Sequence, residues 1–262
     1  MRLKNKVAIV TGGGAGIGKA ISLVFAAEGA AVVVAARTRS RLEAVVDEIR
    51  SKGGWATAIP TDVSDENQIR KMVAQTLNEY GQVDILVNNS AAMGAFANVV
   101  DIKLDDWNEE LAVSLAGVML CAREVLKSMI PRQSGNIINI SSDSGKSGYA
   151  MRSPYCVAKW GVIGLTQTLA LEVGEYNIRV NCIAPGWVKG ERLERVMKDR
   201  AGATGLSYEE VYKQIIDKAI AEAALGRIVT AAEVAGAAIF LASDESSGLT
   251  GQTIGVDAGL RF

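Results

Sequence analysis

The stretch Val7-Ala-Ile-Val-Thr-Gly-Gly-Gly-Ala-Gly-Ile-Gly18 lies near the N-terminal end of the chain. It begins with a short, mostly β-branched run, continues with glycines spaced G-x-x-x-G-x-G, and is followed by apolar residues at helical intervals. This order predicts a strand, a turn and a helix. Glycines let a backbone approach a pyrophosphate closely, and the N-terminus of a helix supplies N–H donors and a positive dipole. We therefore expect a phosphate-binding unit with cofactor contacts from Gly12, Gly16, Ile17 and Gly18.

A second predicted strand, residues 31–36, ends beside three arginines. In dinucleotide-binding units an acidic residue at this point binds the ribose 2′-hydroxyl of NAD. Here Ala36 is followed by Arg37, with Arg39 and Arg41 close behind. A guanidinium binds a phosphate through two parallel hydrogen bonds, and no carboxylate repels that phosphate. The sequence favours NADP(H), with Arg37 on the 2′-phosphate. The alternative is that these arginines are solvated and that NAD(H) binds.

Strand and helix patterns alternate along the rest of the chain without a repeat or a linker. Further strands are predicted near residues 56–60, 83–87, 137–140 and 253–256. This alternation is typical of an α/β fold: one Rossmann-like, doubly wound parallel sheet of about seven strands with helices on both faces. We expect a single domain over residues 1–262, with a dinucleotide-binding part over about 1–185 and a substrate lid over about 187–225.

Bulk composition excludes several classes of protein. The net charge of −1 gives no support to a nucleic-acid or anionic-membrane surface. No stretch reaches the length of a membrane span, and the first apolar run is too short for a signal peptide. The three cysteines, Cys121, Cys156 and Cys182, are far apart in the sequence and are typical of buried free thiols in a reducing compartment. We expect a cytoplasmic protein.

The chain contains no histidine. Ser-His-Asp and Cys-His nucleophile systems are therefore excluded, and a catalytic zinc site is disfavoured, so we expect no metal. Any proton transfer must use tyrosine, lysine, aspartate or glutamate.

The stretch from Ser142 to Lys159, S-D-S-G-K-S-G-Y-A-M-R-S-P-Y-C-V-A-K, supplies such groups. Pro154 favours the start of a helix, and Tyr155 and Lys159 then share one helix face. A free phenol is a poor base at neutral pH, but a neighbouring cation favours the phenolate. Ser142 follows a predicted strand and can offer its hydroxyl to the same reacting oxygen. Taken alone, Y-x-x-x-K favours an ordinary surface pair, so the other motifs must decide between the two.

Taken together, the motifs resemble those of the short-chain dehydrogenase/reductase family over essentially the whole chain. The glycine loop, Asn88-Asn89, the Ser142…Tyr155-x-x-x-Lys159 set and Asn181-x-x-x-Pro185-Gly186 occur in the family's order. The chain is most similar to 3-oxoacyl-acyl-carrier-protein reductases and to small polyol or ketone reductases.

This resemblance implies roles for individual residues. Tyr155 would be the acid/base, Lys159 would bind the nicotinamide ribose and favour the phenolate, and Ser142 would hold the substrate oxygen. The remaining implied cofactor contacts lie along the cleft from adenine to carboxamide: Asp62, Val63, Asn89 and Val188.

Three positions depart from the family pattern. The usual N-N-A-G reads N-N-S-A, which brings Ser90 to the site. The catalytic asparagine of the family is Ser114, so the proton relay either uses a serine hydroxyl or follows another path. A threonine expected after P-G-x-V-x is Gly190.

The substrate is not legible from the sequence. We expect Ser90, Ser144, Tyr149 and Trp187 to line its pocket, together with Met93, Asp143, Lys146 and Lys189. This polar and partly basic set indicates a small hydroxylated or anionic substrate.

Two helices are predicted to be apolar on every side, over residues 106–129 and 155–172. Such helices must be covered on every side. We expect them to pair with a second copy in a homotetramer or homodimer. Residues 190–225 are predicted to form two helices joined by a glycine-containing hinge at 201–205, and either a lid or an oligomer contact fits that pattern.

The sequence thus predicts an NADP(H)-dependent oxidoreductase that interconverts a secondary alcohol and a ketone, with Tyr155 as acid/base. Three alternatives are an NAD-dependent dehydrogenase of the same family, a non-catalytic dinucleotide-binding sensor, and an epimerase or dehydratase. The last shows no net change in free NADP(H).

Overall fold

Seven parallel strands form one sheet in the order β3-β2-β1-β4-β5-β6-β7 in a computed structural model, which describes residues 1–260. The chain order reverses between β1 and β4, and in such sheets ligands bind at that point, beyond the carboxyl ends of the strands. The predicted fold class is confirmed. The strands are β1 Val7–Thr11, β2 Ala31–Ala36, β3 Trp55–Pro60, β4 Ile85–Asn88, β5 Gly135–Ile140, β6 Ile178–Pro185 and β7 Thr253–Val256.

Helices cover both faces of the sheet, because successive strand residues point to opposite sides. The helices are α1 Gly16–Ala27, α2 Arg39–Ser51, α3 Glu66–Tyr80, α4 Leu104–Leu111, α5 Gly117–Arg132, α6 Ser153–Val173, α7 Glu191–Thr204, α8 Tyr208–Tyr212, α9 Lys218–Glu222 and α10 Ala231–Ala242. In β1, Ala8 and Val10 belong to the core beneath α1, α2 and α10, whereas Ile9 belongs to the core beneath α3, α5 and α6.

The helix predicted over residues 106–129 differs from the observed one in two respects. Helical structure runs from Leu104 to Arg132, and a π-helical turn over Ala112–Ala116 separates α4 from α5. The prediction that this helix is apolar on every side is wrong for α5. Its outer face carries Arg123, Glu124 and Lys127, which form ion pairs with one another and with Glu66 of α3.

Residues 191–222 form a small core of their own beside the sheet. Helix α7 packs against α8, a second π-helical turn joins α8 to α9, and a Ser207–Glu210 capping box starts α8 as predicted. The predicted hinge is wrong for residues 201–204, since these belong to α7. Only Gly205, at a φ of +73°, ends that helix. The buried residues of this core are Leu193, Val196, Met197, Val211 and Ile216.

Among the helices of residues 1–260, none combines the length and the apolar character needed to cross a membrane.

Candidate active site

A cleft of about 830 Å³ runs along the carboxyl ends of the strands. One end is lined by the glycine loop and by Arg37, and the other by Ser142, Tyr155 and Lys159. The structure therefore brings together two groups of residues that lie more than a hundred positions apart in the sequence. We call the first part the adenosine end and the second the reaction end.

The glycine loop is held in place by Asn89. The Asn89 Nδ2 amide donates to the carbonyl oxygens of Thr11 and Gly12 at 3.0 and 3.2 Å. A Cβ on Gly18 would collide with the Gly12 carbonyl oxygen and with this amide, so only glycine fits there. Asn89 also lines the cleft. Its amide supports the loop backbone, a role that is additional to the predicted adenosine contact.

The first turn of α1 leaves room and donors for an anion. Its N-cap residue, Ala15, has no capping side chain within the described residues, and the turn carries no acidic residue. Ala15, Gly16 and Ile17 all line the cleft, and the space next to Gly16 is open. Unpaired N–H groups and the positive end of the helix dipole suit a pyrophosphate. Gly12, Gly16 and Ile17 line the cleft and Gly18 packs against Gly12, while their cofactor contacts stay predictions.

The adenosine end carries exposed arginines. Arg37 follows β2 and lines the cleft, as predicted, together with Arg41. Arg41 is 3.4 Å from the Glu191 carboxylate of α7 in a solvent-exposed ion pair. Asp62 and Val63 line the same end, where Asp62 Oδ1 accepts hydrogen bonds from the backbone N–H and the hydroxyl of Ser64.

Lys159 is buried at the reaction end. Its Nζ donates to the Ile140 carbonyl oxygen at 2.8 Å and lies 5.8 Å from the centre of the Tyr155 ring. Burial lowers the pKa of Lys159 below its usual value. The predicted helix start is nearly right, since Pro154 lies in the first turn of α6 and Tyr155 directly follows it.

Ser142 is tied to a buried carboxylate. Its Oγ donates to Asp143 Oδ1 at 2.6 Å and accepts from the Ser144 N–H at 3.1 Å. The Tyr149 hydroxyl donates to Asp143 Oδ2 at 3.0 Å, and burial raises the pKa of Asp143. Ser144 and Tyr149 line the cleft as predicted, but their polar groups bind Asp143. Asp143 therefore organises Ser142, Ser144 and Tyr149.

Ser114 lies in the π-helical turn after α4 and is fully buried. Its hydroxyl donates to the Glu110 carboxylate and accepts from the Ala92 N–H at 3.0 Å. These partners use the donor hydrogen of the hydroxyl and one of its acceptor sites. The predicted role of Ser114 in the proton relay stays a prediction.

Four further predicted positions border the reaction end. Ser90, Trp187 and Val188 line it, and Trp187 packs edge-on against the Tyr149 ring at 6.3 Å. Gly190 has a φ of +143°, in a region that favours glycine, and caps the start of α7. This backbone conformation accounts for the missing threonine. Lys146 does not line the cleft, since its Nζ lies beside Gly255.

Sequence analysis missed two arginines at the reaction end. The guanidinium carbon of Arg152 lies 4.4 Å from the centre of the Tyr155 ring, and that of Arg192 lies 5.8 Å from it. Arg152 is three residues before Tyr155, so helical spacing was an available signal. For Arg192 the sequence offers none, because its approach depends on how α7 packs.

The chain is similar to known proteins over nearly its whole length. A family model described as enoyl-(acyl carrier protein) reductase matches residues 12–261. The 3-oxoacyl-(acyl-carrier-protein) reductase FabG of Thermotoga maritima is 38% identical over 260 residues, which cover 99% of each chain. The crystal structure of NAD+-bound xylitol dehydrogenase matches with a TM-score of 0.93 at 31% identity, covering 99% of this chain and 100% of that one. A substituted actinorhodin polyketide ketoreductase with NADPH matches at 0.91 and 34% identity, covering 97% of both chains.

Proposed function

The chain belongs to the short-chain dehydrogenase/reductase family and is an oxidoreductase, and from that premise we propose that it interconverts a secondary alcohol and a ketone with NADP(H). The observation that carries the proposal is the single cleft in which Tyr155 and Lys159 lie opposite the glycine loop and Arg37. Groups that donate hydrogen bonds to phosphate lie at one end of this cleft, and the proton-transfer groups lie at the other.

The reaction divides between the cofactor and the chain. When bound, the nicotinamide supplies a hydride to a carbonyl carbon, or accepts one from a carbinol carbon. During reduction, the Tyr155 hydroxyl gives its proton to the carbonyl oxygen as the C=O π pair becomes an O–H bond. Lys159, held by the Ile140 carbonyl oxygen, stabilises the phenolate that remains. Ser142 lines the same cleft, and its hydroxyl, which donates to Asp143 in the structure, turns its proton towards the substrate oxygen to position it.

The choice of NADP(H) rests on Arg37 and Arg41. Both line the adenosine end, and no acidic residue follows β2 at the point where the ribose 2′-hydroxyl of NAD would be bound. The NADPH-bound actinorhodin ketoreductase supports this choice. The second candidate is an NAD-dependent dehydrogenase, which the NAD+-bound xylitol dehydrogenase favours.

Cofactor affinity tests the proposal. We expect NADPH to bind more tightly than NADH, and Arg37→Ala to weaken NADPH binding by about tenfold while leaving NADH binding unchanged. Arg39→Ala is the matched control, because Arg39 is equally exposed, pairs with Glu43 and does not line the cleft. Equal affinities that Arg37→Ala does not alter would support the NAD-dependent dehydrogenase.

We further propose that residues 187–225 cover the reaction end as a lid. Leu193, Val196 and Ile215 line the cleft from this segment, and its core packs against Met93 and Phe96. An oligomer contact is the competing role. Deletion of residues 206–222 separates the two: a lid predicts lost turnover with the assembly unchanged, whereas an oligomer contact predicts a smaller assembly.

For assembly we propose a homotetramer or homodimer through α4–α5 and α6. Trp160 and Leu171 on α6 are 53% and 86% exposed, and Leu165 of α6 lines a shallow apolar groove together with Leu111, Leu115 and Met119. Exposed apolar patches of this kind mark interaction surfaces. Trp160→Glu should reduce the mass measured by light scattering, while Trp55→Glu, which alters an exposed tryptophan on β3, should not. An unchanged mass in Trp160→Glu would contradict this interface. The cytoplasmic location stays a prediction.

A further inference from the structure

Two guanidinium groups from separate elements approach the acid/base tyrosine. Arg152 precedes α6 and Arg192 belongs to the first turn of α7. Their guanidinium carbons lie 4.4 and 5.8 Å from the centre of the Tyr155 ring, and both residues line the cleft. The reacting oxygen of a substrate sits beside Tyr155 in the proposed reaction, so a small substrate bound there lies close to these two cations.

Arg152 is held as a preorganised cation. It is 7% exposed, and its Nη1 donates to the carbonyl oxygens of Met93 and Gly94 at 2.7 and 3.4 Å. The guanidinium also lies 4.4 Å from the centre of the Phe96 ring, so two aromatic faces flank it. Burial lowers the pKa of Arg152. Taking a cation out of water is unfavourable unless it is paired, which indicates a missing anionic partner.

No carboxylate of the described residues supplies that partner. Arg152 and Arg192 form no ion pair within 4.0 Å among residues 1–260. Glu110 is buried nearby. Its Oε1 accepts from Ser114, whereas its Oε2 lies beside Gly94 with no hydrogen-bond partner among the described residues and stays outside ion-pair distance of Arg152. Asp143 is occupied by Ser142, Ser144 and Tyr149.

Arg192 is anchored to the same loop as Arg152. Its Nη2 donates to the Ala92 carbonyl oxygen at 2.7 Å, and this contact joins α7 to the loop that also receives Arg152. Both guanidiniums therefore donate hydrogen bonds to the backbone of residues 92–94, and each has further N–H donors available. A planar fork of N–H donors matches the two oxygens of a carboxylate.

We propose that Arg152 and Arg192 form a carboxylate-binding subsite beside Tyr155, so that the substrate is a small oxo or hydroxy acid whose carboxylate lies a few bonds from the reacting carbon. This inference rests on the proposed function, because it assumes that Tyr155 meets the reacting oxygen. It goes beyond that function by naming the substrate class. The substrate carboxylate neutralises the charge of the buried Arg152. Its contact with both arginines orients the substrate carbonyl towards the Tyr155 phenol.

Paired ligands that differ only in charge test the subsite. The probes are short 3-oxo and 2-oxo acids and their methyl esters, titrated calorimetrically into the protein with and without NADPH at fixed ionic strength. We expect each acid to bind at least about tenfold more tightly than its ester. Arg152→Gln and Arg192→Gln should each remove about tenfold of acid affinity and leave ester affinity unchanged. The double variant should show no preference for the acid.

Two further variants guard against trivial explanations. Lys198→Gln removes one positive charge from the same helix α7 at an exposed position outside the cleft, and should change nothing. Arg152→Lys keeps the charge but loses the planar fork, so an intermediate loss of acid affinity is expected. It also serves if Arg152→Gln unfolds, which a thermal melt reveals.

The outcomes distinguish this inference from the proposed function. Acids and esters binding equally to the wild type, no acid binding at millimolar concentration, or an acid preference that survives in the double variant would each overturn the subsite. If NADPH binds and the protein reduces neutral ketones in a Tyr155-dependent reaction in those cases, the proposed function stands alone. An arginine-dependent acid preference without NADPH binding or turnover would support the subsite and contradict the proposed function.

Discussion

The two ends of the cleft hold their cations in different ways. At the adenosine end, the Arg41 side chain is 58% exposed and pairs with an exposed Glu191, while Arg37 stands in solvent. At the reaction end, Lys159 is 2% exposed and Arg152 is 7% exposed, and both donate to backbone carbonyl oxygens. Solvent screens the charges of Arg37 and Arg41, whereas the protein fixes Lys159 and Arg152 in place. Substitutions at the adenosine end should therefore cause small changes in cofactor affinity, and substitutions at the reaction end should cause large changes in turnover.

Replacing the buried lysine should have the largest effect. In Lys159→Met the cation beside Tyr155 is lost while an apolar side chain fills the space, so turnover should fall by about 10²–10⁴-fold. Steady-state kinetics with NADPH give the measurement. Lys198→Met is the control, because Lys198 is exposed, does not line the cleft and should leave turnover unchanged. A fall of less than fivefold in Lys159→Met would remove the contrast between the two ends.

The buried Asp143 gives a pH-dependent prediction. Burial raises its pKa in the folded state, so between its usual value and that raised value the native state holds a proton that the unfolded state has released. Wild-type stability therefore falls as pH rises through this window, and Asp143→Asn escapes the fall. The melting temperature of Asp143→Asn should rise relative to wild type with pH, by on the order of a few degrees.

Asp65→Asn should change the pH dependence of stability in the opposite direction. Asp65 caps α3, and its hydrogen bonds with Gln68 lower its pKa. Its contribution to stability is present above the usual carboxyl value and is lost as pH falls through the lowered one. Relative to wild type, Asp65→Asn should therefore lose stability as pH rises. The same trend in both variants would show that Asp143 is not held in a charge-disfavouring site.

The smallest effect is expected at the exposed ion pair. Arg41→Gln removes its contact with Glu191, and exposed pairs of this kind contribute about 0.2–1 kcal/mol. NADPH affinity should fall by a few fold, and the fall should shrink at high salt. Dissociation constants at low and high ionic strength provide the measurement. A loss that salt does not reduce would show that this end is as protected from solvent as the reaction end.

Much of the fold could be predicted because local patterns determine it. The bounds of β2 and β7 match the structure, since each is a short strand-type run next to strong turn signals. The glycine loop was predictable because few residues other than glycine fit at Gly12 and Gly18. Tyr155 and Lys159 were predictable because one helix turn separates them.

The remaining features depend on tertiary contacts. The π-helical turn at Ala112–Ala116 interrupts a run of residues that reads as one uniform helix. Glu110 reads as an ordinary exposed residue until the fold buries it against Ser114. Arg192 approaches Tyr155 only because α7 packs over the cleft. Sequence patterns within a single helix or strand cannot predict such contacts between elements.

The most direct test of the central claim measures both ends of the cleft in one variant. Tyr155→Phe removes only the phenol hydroxyl and keeps the ring that Arg152 and Arg192 flank. We predict that it binds NADPH with the wild-type dissociation constant, while turnover of any alcohol or ketone that the wild type accepts falls by about 10²–10⁴-fold. Turnover within a few fold of wild type would contradict Tyr155 as the acid/base, and with it the assignment of proton transfer to this end of the cleft.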